Sequence, residues 1–300
     1  MRINILGVPM DLGADRRGVD MGPSAIRYAN ISERLRLLGH EVEDLGTIPV
    51  EGRETRPHGD PKLKYLDQIV HCCNELAARV TKSINDGALP ITLGGDHSIA
   101  LGSASGAANA LGEIGVIWFD AHADFNTNET SPSGNIHGMI LGALAGFGDA
   151  RLVNTANTSG KARHVDPRHI AIVGARDLDP GEVLLLREAG VHVFPMSEID
   201  RRGIYEVTRE ALELAASNTK GIHISFDMDV VDPSEAPGVG TPVHGGITYR
   251  EAHMAMELVA ESSKMVSLDF VEVNPILDQA NRTAVLATEL ALSAAGKRTF

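Results

Sequence analysis

Short apolar runs alternate along this chain with segments whose apolar residues recur every three or four positions. The runs at residues 3–8, 41–45, 89–93, 115–119, 169–173, 191–194, 221–226 and 265–270 predict strands. Most are continuously apolar, as strands covered on both faces are. Between them, Leu63, Leu66, Ile69, Val70, Cys73, Leu76, Ala77, Val80 and Ile84 share one helical face. Asp60-Pro61 is the expected N-cap and first turn of that helix, and Gly87 its stop. The same spacing predicts helices over 23–38, 180–189, 204–216, 248–262 and 283–295. Such alternation implies one parallel sheet with helices on both faces. Polar loops span 126–135 and 154–167, but neither precedes a shift in composition. Residues 1–300 therefore read as a single domain. In such sheets the chemistry sits at the carboxyl ends of the strands.

Composition narrows the function. With 43% hydrophobic and 22% charged residues, the chain has ordinary globular usage, which argues against disorder. Lys and Arg number 27 against 40 Asp and Glu, a net charge of −13. That sign repels phosphate backbones, so no nucleic-acid partner is expected, and it suits a cationic ligand or metal ions. Cys72 and Cys73 are adjacent and cannot staple distant segments; they read as reduced thiols of a cytoplasmic protein. The first apolar run is too short for a secretory signal. The least polar later stretch, 139–148, is about half the ~20 residues of a membrane span, so no membrane partner is expected.

Acids and histidines gather where strands end. The run at 115–119 leads into Asp120-Ala121-His122-Ala123-Asp124. If the extended backbone continues, Asp120, His122 and Asp124 share one face. Carboxylates that close repel unless a proton or cation intervenes. The run at 221–226 leads likewise into Asp227-Met228-Asp229, and the run at 89–93 into Gly94-Gly95-Asp96-His97, whose glycines allow a tight turn. Carboxylates with imidazoles suit Mn²⁺, and also Zn²⁺, Co²⁺ or Fe²⁺. Four aspartates offset two divalent ions. His137, in the polar loop, has the chemistry to move protons near neutral pH. Glu272, at the end of the last strand, needs a cationic partner, and a guanidinium fits a carboxylate fork.

Gly94-Gly95-Asp96-His97-Ser98, Asp120-Ala121-His122-Ala123-Asp124 and Ser225-Phe226-Asp227-Met228-Asp229 resemble the three metal signatures of the ureohydrolase family. Ser131-Pro132-Ser133-Gly134-Asn135-Ile136-His137-Gly138 resembles its arginase branch, as do Gly7 to Gly13 and Arg17 to Pro23. The resemblance covers nearly the whole chain. It implies a three-layer α/β/α fold with an eight-stranded, mostly parallel sheet, and two Mn²⁺ per chain. It implies His97 and Asp124 on one ion, His122 and Asp229 on the other, and Asp120 and Asp227 bridging. A hydroxide between the ions would attack the guanidinium of L-arginine, giving L-ornithine and urea. The implied catalytic set is His137 as proton shuttle, Glu272 at the guanidinium and Asp124. The implied substrate contacts are Asn126, Ser131, Ser133, Asn135, Asp179, Thr241 and Glu272, and the implied assembly is a homotrimer or homohexamer. An agmatinase would share the metals, and the serine-rich loop argues against it. Two departures adjoin the site: Val230-Val231 after Asp229, where a glycine is usual first, and His244, where an aliphatic residue is usual.

Overall fold

The computed structural model describes residues 1–157 and 163–298, so part of the polar loop expected at 154–167 lies outside the described residues. All eight expected strands form: β1 (Arg2–Val8), β2 (Glu41–Thr47), β3 (Leu89–Gly94), β4 (Gly115–Phe119), β5 (Ile170–Ala175), β6 (His192–Pro195), β7 (Ile222–Asp227) and β8 (Met265–Val271). They build one sheet in the order β2-β1-β3-β8-β7-β4-β5-β6. Every ladder in it is parallel, so the sheet is all-parallel rather than mostly so. The reason is that each link between consecutive strands carries helix, which returns the chain to the end of the sheet where the previous strand began.

The helices are α1 (Gly22–Tyr28), α2 (Ile31–Leu37), α3 (Leu66–Asn85), α4 (Ala100–Leu111), α5 (Ile140–Leu144), α6 (Ala150–Val153), α7 (Pro180–Ala189), α8 (Met196–Ala216), α9 (Tyr249–Ser262) and α10 (Arg282–Ala294). Among the described residues none is long and apolar enough to cross a membrane. Alternate strand residues feed two apolar layers. Ile117, Phe119, Ile224, Phe226, Leu268 and Phe270 pack with α1, α2, α8, α9 and α10. Val116, Trp118, Ile170 and Ile172 face the opposite way, onto α3, α4 and α5. On that second side β7 and β8 bury polar residues instead: His223, Ser225 and Asp227, then Ser267 and Asp269.

Three helical expectations need correction. The helix expected over 23–38 is two helices, broken where Asn30 takes a left-handed φ of 61°, a conformation asparagine tolerates. Asp60-Pro61 does not start α3. Asp60 instead accepts the Lys62 N–H and closes a turn, and α3 begins at Leu66. The segment so released packs on the polar loop, where Lys64 Nζ donates to Asn135 Oδ1 at 2.8 Å. The helix expected from 204 has about two extra turns before it, from Met196, joined through Gly203 at φ 79°, ψ 152°. Helix α4 was not expected. Every residue from Ala100 to Ala108 is buried, so it has no polar face and shows no period.

Topology positions the chemistry. Strands β3, β8, β7 and β4 are consecutive neighbours at the centre of the sheet. Phe119 pairs with Phe226, so Asp120 and Asp227 leave the sheet side by side. At the end of β3 the glycines serve close approach rather than a left-handed turn. A Cβ on Gly95 would lie 1.9 Å from the Met10 carbonyl oxygen and 2.6 Å from Met10 N. Backbone cannot yield as a side chain does. Gly95→Ala is therefore expected to destabilise the fold by about 3 kcal/mol, at the upper end for overpacking, measured by urea denaturation. A loss within experimental error would show that β1 and the β3 loop can separate freely.

Candidate active site

Beyond Phe119 the backbone does not stay extended. Asp124 has a left-handed φ of 49°, and Asp227 leads into a single turn at Met228–Val230. The expected alternation is thus not what gathers the acids; curled loops do so. Their carboxylates cap those loops: Asp120 Oδ1 accepts the His122 N–H at 2.7 Å and Asp227 Oδ1 the Asp229 N–H at 2.8 Å. Trp118 Nε1 donates to Asp120 Oδ2 at 2.9 Å, and Ala121 N to Asp229 Oδ1 at 3.1 Å.

The remaining lone pairs converge on two histidines. His97 Nδ1 lies 3.2 Å from Asp120 Oδ2, 3.1 Å from Asp124 Oδ2 and 3.1 Å from Asp227 Oδ2. His122 Nδ1 lies 3.3 Å from Asp120 Oδ1 and 3.0 Å from Asp229 Oδ2. Asp120 thus turns one oxygen to each histidine. Two groups, His97-Asp120-Asp124 and Asp120-His122-Asp229, have the spacing to hold a metal ion.

The geometry suits cations better than protons. His97 is fully buried, and none of its three carboxylate neighbours meets the geometry of a hydrogen bond, so Nδ1 is an orphaned polar atom. Ligands about 2.1 Å from a shared centre and at right angles stand about 3 Å apart, which is the spacing seen. Charge agrees. Burial, then Asp229 and Asp120, push the Asp227 carboxyl well above its usual range. Divalent ions would relieve that repulsion. The residues present therefore fit a binuclear cluster.

A cavity opens beside them, lined by His122, Asp124, Asn126, Ser131, Ser133, Asn135, His137, Asp179, Glu182, Asp227 and Thr241. Ser131 Oγ accepts the Gly134 N–H and Ser133 Oγ the Asn135 N–H, and the two hydroxyls lie 3.5 Å apart, so at the cavity wall one can donate to the other until a carboxylate takes both protons. Asn126 is already engaged: Nδ2 donates to Asp179 Oδ2 at 2.9 Å, and Oδ1 accepts from Thr130. Thr241 Oγ1 donates to Asp229 Oδ2 at 3.2 Å. Glu272 does not line the cavity. It sits behind His137, where Oε1 accepts from His97 N at 2.9 Å and lies 3.1 Å from His137 Nδ1. Burial would depress the His137 pKa, but the Glu272 carboxylate outweighs it and lifts the imidazole to about 9.

The model of the arginase family matches residues 1–296. An arginase of Bacillus caldovelox is similar, 50% identical over 298 residues, covering 99% of this chain and 98% of that protein. One of Bacillus subtilis (strain 168) is 49% identical over 296 residues, with 99% and 98% covered. The solved structure of the B. caldovelox arginase superposes with a TM-score of 0.95 at 48% identity, over 99% of each chain. The chain belongs to the arginase family.

Arginase-family membership makes the chain a ureohydrolase, and its site contains two residues that sequence reasoning passed over. Glu182 forms a capping box with Asp179 at the start of α7, accepts the Phe125 N–H at 2.7 Å and faces the cavity. Burial raises its pKa to about 8. The spacing Asp179-Pro180-Gly181-Glu182 is an N-cap signature that could have exposed it. Arg176 donates to the carbonyl oxygens of Asp229 and Val243, both at 2.7 Å, and so ties the Asp229 loop to the loop that carries Thr241. Of the two departures, Val230 is buried and accepts from Arg176 through its backbone, and the exposed His244 does not line the cavity.

Proposed function

We propose that two Mn²⁺ ions bind this site, His97 and Asp124 holding one, His122 and Asp229 the other, with Asp120 and Asp227 reaching both. The substrate is L-arginine and the products are L-ornithine and urea. The observation that carries the reading is the buried, unpartnered His97 Nδ1 facing three carboxylates beside a second His/Asp group. When bound, the ions acidify water and so supply hydroxide near neutral pH, the nucleophile that a resonance-stabilised guanidinium requires.

The chain's own residues handle substrate and protons. His137, kept protonated by Glu272, donates to the amine that departs as ornithine. Glu272, set behind His137, serves the guanidinium side of the site through that imidazole and through its own negative charge. Ser131 and Ser133 donate to the α-carboxylate, with Asn126 and Asn135 fixing the loop that carries them. Asp179 attracts the α-ammonium, and Thr241 steadies Asp229. Asp124 acts beside His137 as well as on the ion. A single domain, a cytoplasmic location and a homotrimer or homohexamer complete the reading. The buried, unpaired Cys72 and Cys73 suit a reducing compartment, and light scattering measures the assembly.

Specificity tests it. Agmatine lacks the α-carboxylate, so it forgoes the two serine hydrogen bonds to a charged group, each worth ~1.5–3 kcal/mol. L-arginine is expected to exceed agmatine in kcat/KM by roughly a hundredfold or more. Replacing Ser131 and Ser133 together by alanine is expected to narrow the gap by weakening arginine. A wild-type preference for agmatine would overturn the substrate.

A further inference from the structure

Beneath the metal-binding groups, the polar face of β7 and β8 forms a buried chain that ends on His97. His97 Nε2 lies 2.8 Å from Ser225 Oγ, and Ser225 Oγ donates to Asp269 Oδ1 at 2.5 Å. Asp269 Oδ2 accepts from Ser103 Oγ of α4 at 2.5 Å and lies 3.1 Å from His223 Nε2. His223 is anchored in turn, its Nδ1 2.8 Å from Ser267 Oγ. His97, Ser225, Asp269 and His223 are at most 1% exposed. None of Ser225, Asp269 and His223 touches the cavity.

The order of donors decides which ring nitrogen carries hydrogen. A serine hydroxyl has one proton, and that of Ser225 is directed to the Asp269 carboxylate. Its contact with His97 is then a hydrogen bond in which Nε2–H donates. A neutral ring with hydrogen on Nε2 has its lone pair on Nδ1, the atom that faces Asp120, Asp124 and Asp227. The Trp118 indole stacks on the same ring at 4.0 Å and 3°, which sets its plane but not its tautomer.

We propose that Asp269, acting through Ser225, is a positioning residue that fixes the His97 tautomer and so tunes one of the two metal positions. The inference rests on the binuclear reading above. His122 makes no hydrogen bond to Ser225, Asp269 or His223 among the described residues, so the effect falls first on the ion at His97 and reaches the other only through Asp120 and Asp227.

Titration calorimetry with MnCl₂ on the metal-stripped full chain, with EPR of the loaded protein, separates the two ideas. Wild type binding two ions with a coupled-pair EPR signal supports the binuclear reading, and failure there counts against that reading alone. Asp269→Asn and Ser225→Ala are each expected to weaken one ion roughly 10–100-fold, leave the other near wild type and give the signal of an isolated Mn²⁺. Ser225→Ala keeps the buried carboxylate, so it answers the question if Asp269→Asn fails to fold. Ser103→Ala removes a donor to Asp269 outside the path to His97. It is expected to lower Tm while both Mn²⁺ affinities stay within about threefold of wild type, below the relay effect. Two wild-type affinities in folded Ser225→Ala, or equal weakening of both ions, would overturn the proposal.

Discussion

Stripping divalent cations is expected to abolish urea release, and Mn²⁺ to restore it at about two ions per chain. Stability is expected to respond as well, with a sign that follows from the carboxylates. Without cations, burial and neighbouring acids raise the pKa values of Asp124, Asp227 and Asp229. A carboxyl whose folded pKa exceeds its unfolded value of about 4 holds its proton more tightly when folded. Its contribution is full in acid and is lost as pH rises through the folded pKa. His97 and His122, lifted by the same acids against burial, have the same sign. Asp120 runs the other way. Burial would raise it, but His122 and His97 hold it well below its usual range, so its contribution is lost only in acid. The larger group decides, and the stripped protein weakens as pH rises. Cations replace those protons, so the gap in Tm between loaded and stripped protein is expected to widen from about pH 5 to about pH 8. Thermal melts at several pH values measure it. A gap that ignores pH would show that these carboxyls are not the ligands.

His137→Asn is expected to retain both ions yet lose ~10²–10⁴-fold in kcat, the usual share of a general acid. Added imidazole is expected to restore part of it. The pH profile carries the stronger test. His137 donates only while protonated, so turnover that depends on it falls as pH rises through its pKa. That pKa is about 9 in the metal-free site, with Asp124 among its supports. Neutralising Asp124 with a cation lowers it, so the alkaline limb of the loaded enzyme is expected below 9. Glu272→Gln removes the main support and is expected to move that limb lower still, whereas His137→Asn is expected to abolish it. An unchanged alkaline limb in both variants would assign the proton to another group.

Much of this was legible one residue at a time. Most of the eight strands were legible because a strand buried on both faces is largely apolar along its own length, whatever it pairs with; the edge strand β2 is mostly exposed and mixed. The acids and histidines after β3, β4 and β7 were legible because carboxylates crowded at buried strand ends demand a counter-charge. Other features depended on neighbours far away in sequence. No local signal orders β3, β8, β7 and β4 side by side, and that order is what unites Gly94 to His97, Asp120 to Asp124, Asp227 to Asp229 and Glu272. The extended face expected for Asp120, His122 and Asp124 gave way to a loop, because carboxylates capping their own backbone favour curling over extension. Helix α4 was silent because a helix buried all round has no period to read. His223, Ser225, Ser267 and Asp269 stood in the sequence as polar residues alternating within buried strands. Only the packing of β7 on β8 and α4, 44 residues and more apart in the chain, turns them into a chain ending on His97. Side-chain period is a property of one segment, whereas tautomer, charge and metal geometry belong to atoms that folding alone brings within 3 Å.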